Sequence, residues 1–375
     1  MLIGLLKEGD SENRVALLPE MVSALSQRKV TVYIETGAGE SALASDAAYK
    51  DAGATIASRE EVLAKTDFLI GIHPPDKSLI ESFRKEQIWL SQYNPLWNTD
   101  LVNQFVSKKM TTFSMDMIPR STQGQSMDVL SSQATVAGYK AVLDAANLLP
   151  TFFPMFMTAA GTIRPATVLV LGAGVAGLQA IATAKRLGAQ VQAFDVRSAV
   201  KEEVMSLGAK FVEVEGAKED AAAGGYAVEQ TEEFKQKQQQ AINDHAAKAN
   251  VVICTAQIPG RKAPLLLPED AVAAMKPGAV IIDLAASTGG NCALSQDNKT
   301  VIKHGVTIIG QSNYPSLLPA DASKMFGKNI LNFLELLFNE EGAFSLNFDD
   351  VIIKGTCITH EGAIINERVQ AVIHS

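Results

Sequence analysis

The sequence predicts an α/β protein made of two doubly wound, mainly parallel sheets joined by long helices, with a cleft between the two domains. Three observations carry that expectation. Short β-rich apolar runs alternate with helix-like segments along nearly the whole chain, the pattern of repeated βαβ units. The 375 residues exceed what one ordinary core holds, so two domains are the natural division. A glycine-rich turn, Leu171-Gly-Ala-Gly-Val-Ala-Gly177, joins a β-branched run directly to a helix-like one.

The first series of apolar runs covers residues 2–6, 30–34, 68–72 and 111–113. Only six apolar residues precede Lys7, too few for a signal peptide, so the N-terminus reads as a buried first strand. The second series covers 167–171, 191–194, 210–214, 250–254, 279–283 and 306–309, six runs, which is the complement of a full doubly wound sheet. Residues 128–149 and 323–339 have helical spacing and are expected to link the domains. The tail is too short to fold alone, and its strand-like residues 351–353 need the first domain's sheet. The expected domains are therefore 1–127 with 323–375, and 128–322. Residues 217–240 begin as a Gly/Ala-rich surface loop and run into a polar helix from Thr231. The uncharged stretch 166–184 is long enough to span a bilayer, but its three glycines make a strand, turn and helix the better reading.

Composition narrows the function. An apolar fraction of 47% and a charged fraction of 20% belong to a globular chain. A net charge of −8 with no Lys/Arg run argues against nucleic acid as a partner. Three scattered cysteines without a C-x-x-C pair fit a reducing, cytosolic setting. The five histidines lie far apart with no i, i+4 pair, so no metal site is expected. Trp89, Tyr93 and Trp97 read as packing around the first sheet.

The chemistry is written at Gly172, Gly174 and Gly177. In a Rossmann-like unit the first glycine permits the tight turn and the second lets a pyrophosphate approach the backbone. The third lets helix and strand pack closely, while the helix N-terminus, here Val175 and Ala176, offers N–H donors to the phosphates. Asp195 ends the next strand, eighteen residues after Gly177, where a carboxylate accepts the adenosine ribose hydroxyls and repels a 2′-phosphate. NAD(H) is the expected cofactor, with Val196 beside it. Arg197 complicates the preference, because an arginine there accommodates a 2′-phosphate. Thr255, Ala256 and Gln257 follow the fourth strand and are expected to flank the cofactor at the carboxyl edge of the sheet.

With these residues in place, the chain resembles, end to end, the alanine dehydrogenase and proton-translocating nicotinamide nucleotide transhydrogenase family. The likeness runs through Lys7-Glu-Gly, Glu12-Asn-Arg-Val-Ala-Leu-Leu-Pro19, residues 119–140, the Gly172 turn, Lys276-Pro-Gly-Ala-Val and residues 283–290. The two branches differ in what they require. An amino-acid dehydrogenase moves a proton as well as a hydride, and its branch uses an arginine, a lysine, a histidine and an aspartate. Here the arginine survives as Arg14, but the other three positions hold His73, Pro95 and Ser287 by alignment. Hydride transfer between two nicotinamides needs only two rings held face to face.

The resemblance to the transhydrogenase branch implies that Arg120, Gln125, Asp128 and Ser131 grip the nicotinamide and its ribose, with Asp128 and Arg120 pairing to orient Gln125. The bland alternative is a polar helix entry capped by Ser126. Tyr226, between glycines and apolar neighbours, matches a mobile loop that closes over bound nucleotide. The resemblance further implies NADP(H) on a partner domain or β subunit, a proton-conducting membrane subunit, a homodimer, and peripheral attachment at the cytoplasmic membrane face. Two other readings are a soluble NAD-dependent alanine or imino-acid dehydrogenase and a non-catalytic NAD(H) sensor.

Overall fold

A computed structural model describes residues 1–214, 231–258 and 260–373; the expected closing loop with Tyr226 lies outside the described residues. The chain divides into two units, Met1–Gln133 with Pro315–Ser375, and Ala134–Tyr314.

In the first unit the strand Leu2–Leu5 lies inside an eight-stranded sheet. Thr31–Glu35 and Thr55–Ala57 follow on one side, and Phe68–Ile70, Ile88–Ser91 and Thr111–Ser114 on the other, all parallel. Ile3 pairs with both Val32 and Phe68. The order is that of two βαβ halves leaving a shared centre in opposite directions. Buried on both faces, the central strands read as continuous apolar runs rather than alternating ones. The helix Pro319–Leu337 lays Phe326, Ile330, Phe333 and Leu334 into the core beside Phe68 and Phe113.

Two expectations are corrected in this unit. Residues 351–353 are not a strand: Val351–Thr356 is a helix, because Asp350 caps it by accepting the N–H groups of Ile352 (2.7 Å) and Ile353 (3.2 Å). The cap outweighs the β preference of Val-Ile-Ile. The tail joins the sheet at Cys357–His360, antiparallel to Thr111–Ser114, and Ala363–Ile364 pairs antiparallel beyond it as the edge strand. Trp89 and Tyr93 are buried as expected, whereas Trp97 is 61% exposed and packs around no sheet.

The second unit holds a seven-stranded sheet in which all six expected strands are present. Thr167–Leu171 lies between Gln190–Phe194 and Val251–Cys254; Lys210–Phe211 lies beyond the former, and Val280–Asp283 and Val306–Ile309 beyond the latter. The unforeseen seventh strand, Thr300–Lys303, pairs antiparallel at the edge through a tight turn in which His304 and Gly305 both have positive φ (52° and 74°). The sheet's halves part between Thr167–Leu171 and Val251–Cys254. Their carboxyl ends, at Gly172 and Thr255, open the crevice where doubly wound sheets bind ligands. Among the described residues no helix is long and apolar enough to cross a membrane.

Candidate nucleotide-binding site

The three glycines of the turn do three separable things. Gly172 has φ +100°, and a Cβ there would lie 2.6 Å from the Thr255 hydroxyl. Gly177 is the tightest position: a Cβ would stand 1.9 Å from the carbonyl oxygen of Gly172. Gly174 differs from both, since a Cβ there would meet nothing within 4 Å. It is the N-cap of the helix Val175–Arg186 and supplies no side-chain cap, so no side chain of the cap residue covers the N–H groups of the first turn. Open space in front of a helix N-terminus suits an approaching diphosphate. Gly138 completes the packing, because a Cβ there would lie 2.1 Å from the Ala176 carbonyl oxygen.

Asp195 is bound into the turn: Oδ2 accepts the Ala173 N–H at 2.8 Å, and the carboxylate holds Arg197 through its backbone and its guanidinium. Thr255 donates its hydroxyl to the Gly172 carbonyl at 3.0 Å, tying the ends of the two central strands together. Gln257 reaches the Leu284 carbonyl at 2.8 Å. Val175 is exposed at the helix start, and Val196 is half-buried against the sheet core.

Sequence reasoning missed the support beneath this edge. Asp283, fully buried, accepts the N–H groups of Ala285, Asn291 and Cys292 (2.9–3.0 Å) and the Ser295 hydroxyl at 2.6 Å. Asn291 in turn accepts the Ala256 N–H at 3.0 Å and donates to the carbonyls of Ala256 (2.9 Å) and Pro264 (2.8 Å). The available signal was Gly289-Gly290 after the strand, both at positive φ (104° and 75°). Burial pushes the Cys254 and Cys292 thiols up, so neither is a nucleophile at neutral pH.

In the first unit the loop expected to hold nicotinamide runs into the helix Val129–Leu148. Asp128 caps it: Oδ1 accepts the Ser131 N–H at 3.0 Å and Oδ2 the Ser131 hydroxyl at 2.6 Å. The cap is thus Asp128, not Ser126, whose carbonyl instead accepts Asn329 and Asn332 at 2.8 Å each. Arg120 and Gln125 are both exposed.

Arg14 is spent internally. It grips Glu12 through Nε (2.8 Å) and Nη2 (2.6 Å), and Nη1 donates to Gln133 at 2.8 Å. His73 Nε2 lies 2.6 Å from Glu12 Oε2, the same oxygen that Arg14 Nη2 bonds. Burial pushes the Glu12 carboxyl up, but the Arg14 fork and the His73 ring outweigh it and hold the group well below the usual carboxylate range. A carboxyl depressed on folding stabilises the protein above its unfolded value and loses that stabilisation as pH falls through the folded one. Glu12→Gln is therefore expected to cost about 2 kcal/mol at neutral pH. Urea unfolding from pH 7 to pH 3 should show the gap between wild type and variant narrowing below roughly pH 4, where the unfolded carboxyl protonates. Of the other dehydrogenase-branch positions, Pro95 is buried and Ser287 is exposed, its N–H bonded to the Ser312 hydroxyl at 3.0 Å.

Comparison with known proteins agrees with this architecture. Residues 4–137 match the alanine dehydrogenase/PNT N-terminal domain family, and residues 141–367 the C-terminal domain family. An NAD(P) transhydrogenase alpha-subunit protein of Rhodospirillum rubrum is 46% identical over 364 residues, covering 95% of each chain. A transhydrogenase structure from Sinorhizobium meliloti superimposes with a TM-score of 0.89 at 40% identity, covering 97% of this chain and 100% of that one. An L-alanine dehydrogenase structure shares the fold, with a TM-score of 0.82 at 24% identity over 100% and 99% of the two chains. By these matches over nearly its whole length, the chain belongs to the alanine dehydrogenase/PNT family.

Proposed function

We propose that this chain is the NAD(H)-binding component of a proton-translocating transhydrogenase. It would hold NAD(H) while hydride passes between that nucleotide and NADP(H) held on a partner domain or β subunit. The observation that carries the reading is an intact dinucleotide turn in a chain that lacks proton-handling groups at two positions of the dehydrogenase branch: Pro95 has no ionisable atom, and Ser287 is no general base on its own. The likeness to a transhydrogenase subunit at 46% identity supports the same branch.

When bound, the nicotinamide supplies the hydride chemistry. The chain's role is to bind and orient. The N–H groups after Gly174 receive the diphosphate, Asp195 reads the adenosine ribose, and Thr255, Ala256 and Gln257 border the cofactor at the sheet edge. Arg120, Gln125, Asp128 and Ser131 offer donors and acceptors for the carboxamide and hydroxyls of the nicotinamide end. Asp128 already fixes the Ser131 hydroxyl, which pre-orders that group. Tyr226 completes the set as apolar cover. Proton translocation belongs to a membrane subunit, with this chain a homodimer attached peripherally at the cytoplasmic face.

The test mixes the purified chain with NADH, a transhydrogenase NADP(H)-binding domain and NADP⁺ or an analogue, and follows nucleotide reduction. Turnover is expected only with the partner domain present. Turnover with pyruvate and ammonia alone would sink the proposal in favour of an amino-acid dehydrogenase, and NADH binding with neither activity would leave a sensor.

A further inference from the structure

Asp195 accepts four hydrogen bonds. Oδ1 receives the backbone N–H of Arg197 at 2.9 Å and its Nε at 2.9 Å; Oδ2 receives the Ala173 N–H and Arg197 Nη2, each at 2.8 Å. An ionised carboxylate offers about four lone-pair directions, so its capacity is filled. Two of the four bonds come from backbone and belong to the turn. The other two come from the flat fork of one guanidinium, one to each oxygen. A ribose diol makes the same demand, two hydroxyl donors side by side, one for each oxygen.

We infer that Arg197 is a built-in competitor for the ribose-reading face of Asp195: its guanidinium holds the two acceptor positions that the adenosine diol needs, and nucleotide is accepted only as the fork withdraws. The inference rests on the NAD(H) reading given above. The Arg197 side chain is 29% exposed against 7% for Asp195, so the fork is the member of the pair that reaches solvent. Its withdrawal leaves the Ala173 and Arg197 N–H bonds, and with them the turn, in place. Arg197 then lowers nucleotide affinity and hastens release, which suits a carrier that must exchange NADH for NAD⁺ at every turnover. The same pairing explains how an arginine beside the 2′ position coexists with a preference for NAD(H). Asp195 neutralises it and repels the 2′-phosphate, and removal of the carboxylate frees the guanidinium to bind that phosphate.

The experiment titrates NADH and NADPH, by nucleotide fluorescence, into the full chain and four variants whose folding is checked by thermal melting. Arg197→Ala is expected to bind NADH about two- to fivefold tighter through a slower off-rate, the scale of a partly exposed ion pair. Arg197→Lys offers one point donor in place of a fork and falls between. Asp195→Ser should lose NADH affinity about tenfold and gain NADPH binding, and Asp195→Ser/Arg197→Ala should lose that gain. Unchanged or weaker NADH binding by Arg197→Ala overturns the competitor, as does NADPH binding that survives in the double variant. A wild-type chain that binds no NADH overturns the NAD(H) reading itself, so the two failures are told apart.

Discussion

Gly177→Ala is expected to lower stability by roughly 3 kcal/mol and to abolish NADH binding, whereas Gly174→Ala is expected to fold normally and lose only the nucleotide. A methyl group at 177 must find room where a backbone carbonyl oxygen stands 1.9 Å away. That oxygen belongs to Gly172, which is held at φ +100°. Neither it nor the helix Val175–Arg186 can yield without parting the turn from the sheet. At 174 the backbone is extended (φ −78°, ψ −168°), a conformation alanine adopts freely, and the methyl meets nothing. Restricting the unfolded chain even favours the alanine variant by about 0.5 kcal/mol. The cost at 174 falls on the ligand, because the methyl occupies the approach that a diphosphate takes to the helix N-terminus. Urea unfolding followed by NADH titration separates the cases. A Gly174→Ala chain with unchanged NADH affinity would show that the diphosphate does not come in over this turn, and a destabilised one would overturn the reading of 174 as open and unstrained.

The contrast also shows what the sequence discloses. Spacing alone located the turn and both flanking elements, because the glycines answer to local backbone geometry that every βαβ nucleotide site shares. The central strands of the second sheet were legible for a related reason: Thr167–Leu171, Val251–Cys254 and Val280–Asp283 are buried on both faces and so are written as nearly unbroken apolar runs, while the outer strands kept enough apolar positions to be found. Thr300–Lys303 was not, since it lies on the edge and carries polar and exposed residues, and its signal was confined to the His304-Gly305 turn. Residues 351–353 misled because three β-branched residues precede the true strand, and one capping aspartate before them decided for helix. The alternative reading of the following helix entry placed the cap on Ser126, whereas Asp128, two residues later, holds it. Charged networks were the least legible feature. Arg14 looks like an anion anchor until Glu12, Gln133 and His73 are brought together from separate segments.

Asp283→Ala is expected to be the most destabilising single truncation beneath the candidate site, at about 3–5 kcal/mol. The carboxylate is fully buried and gathers three backbone N–H groups and the Ser295 hydroxyl from the loop that follows its strand. Alanine leaves all four donors without that acceptor in an apolar surround where water cannot readily replace it. Asp283→Asn is the informative companion: it keeps the shape, but one oxygen becomes an amide that must face donors, so about 2 kcal/mol should be lost. The loss should reach function through Asn291, whose N–H bonds to Asp283 and whose amide clamps both backbone groups of Ala256. Loosening Asn291 releases the edge that Thr255 ties to Gly172, and NADH affinity should fall with stability in Asp283→Asn. Asn291→Ala, which spares the carboxylate, should cost less stability yet weaken NADH binding comparably. If Asn291→Ala binds NADH as the wild type does, the clamp is a support for the fold alone and the Ala256 edge does not border the nucleotide.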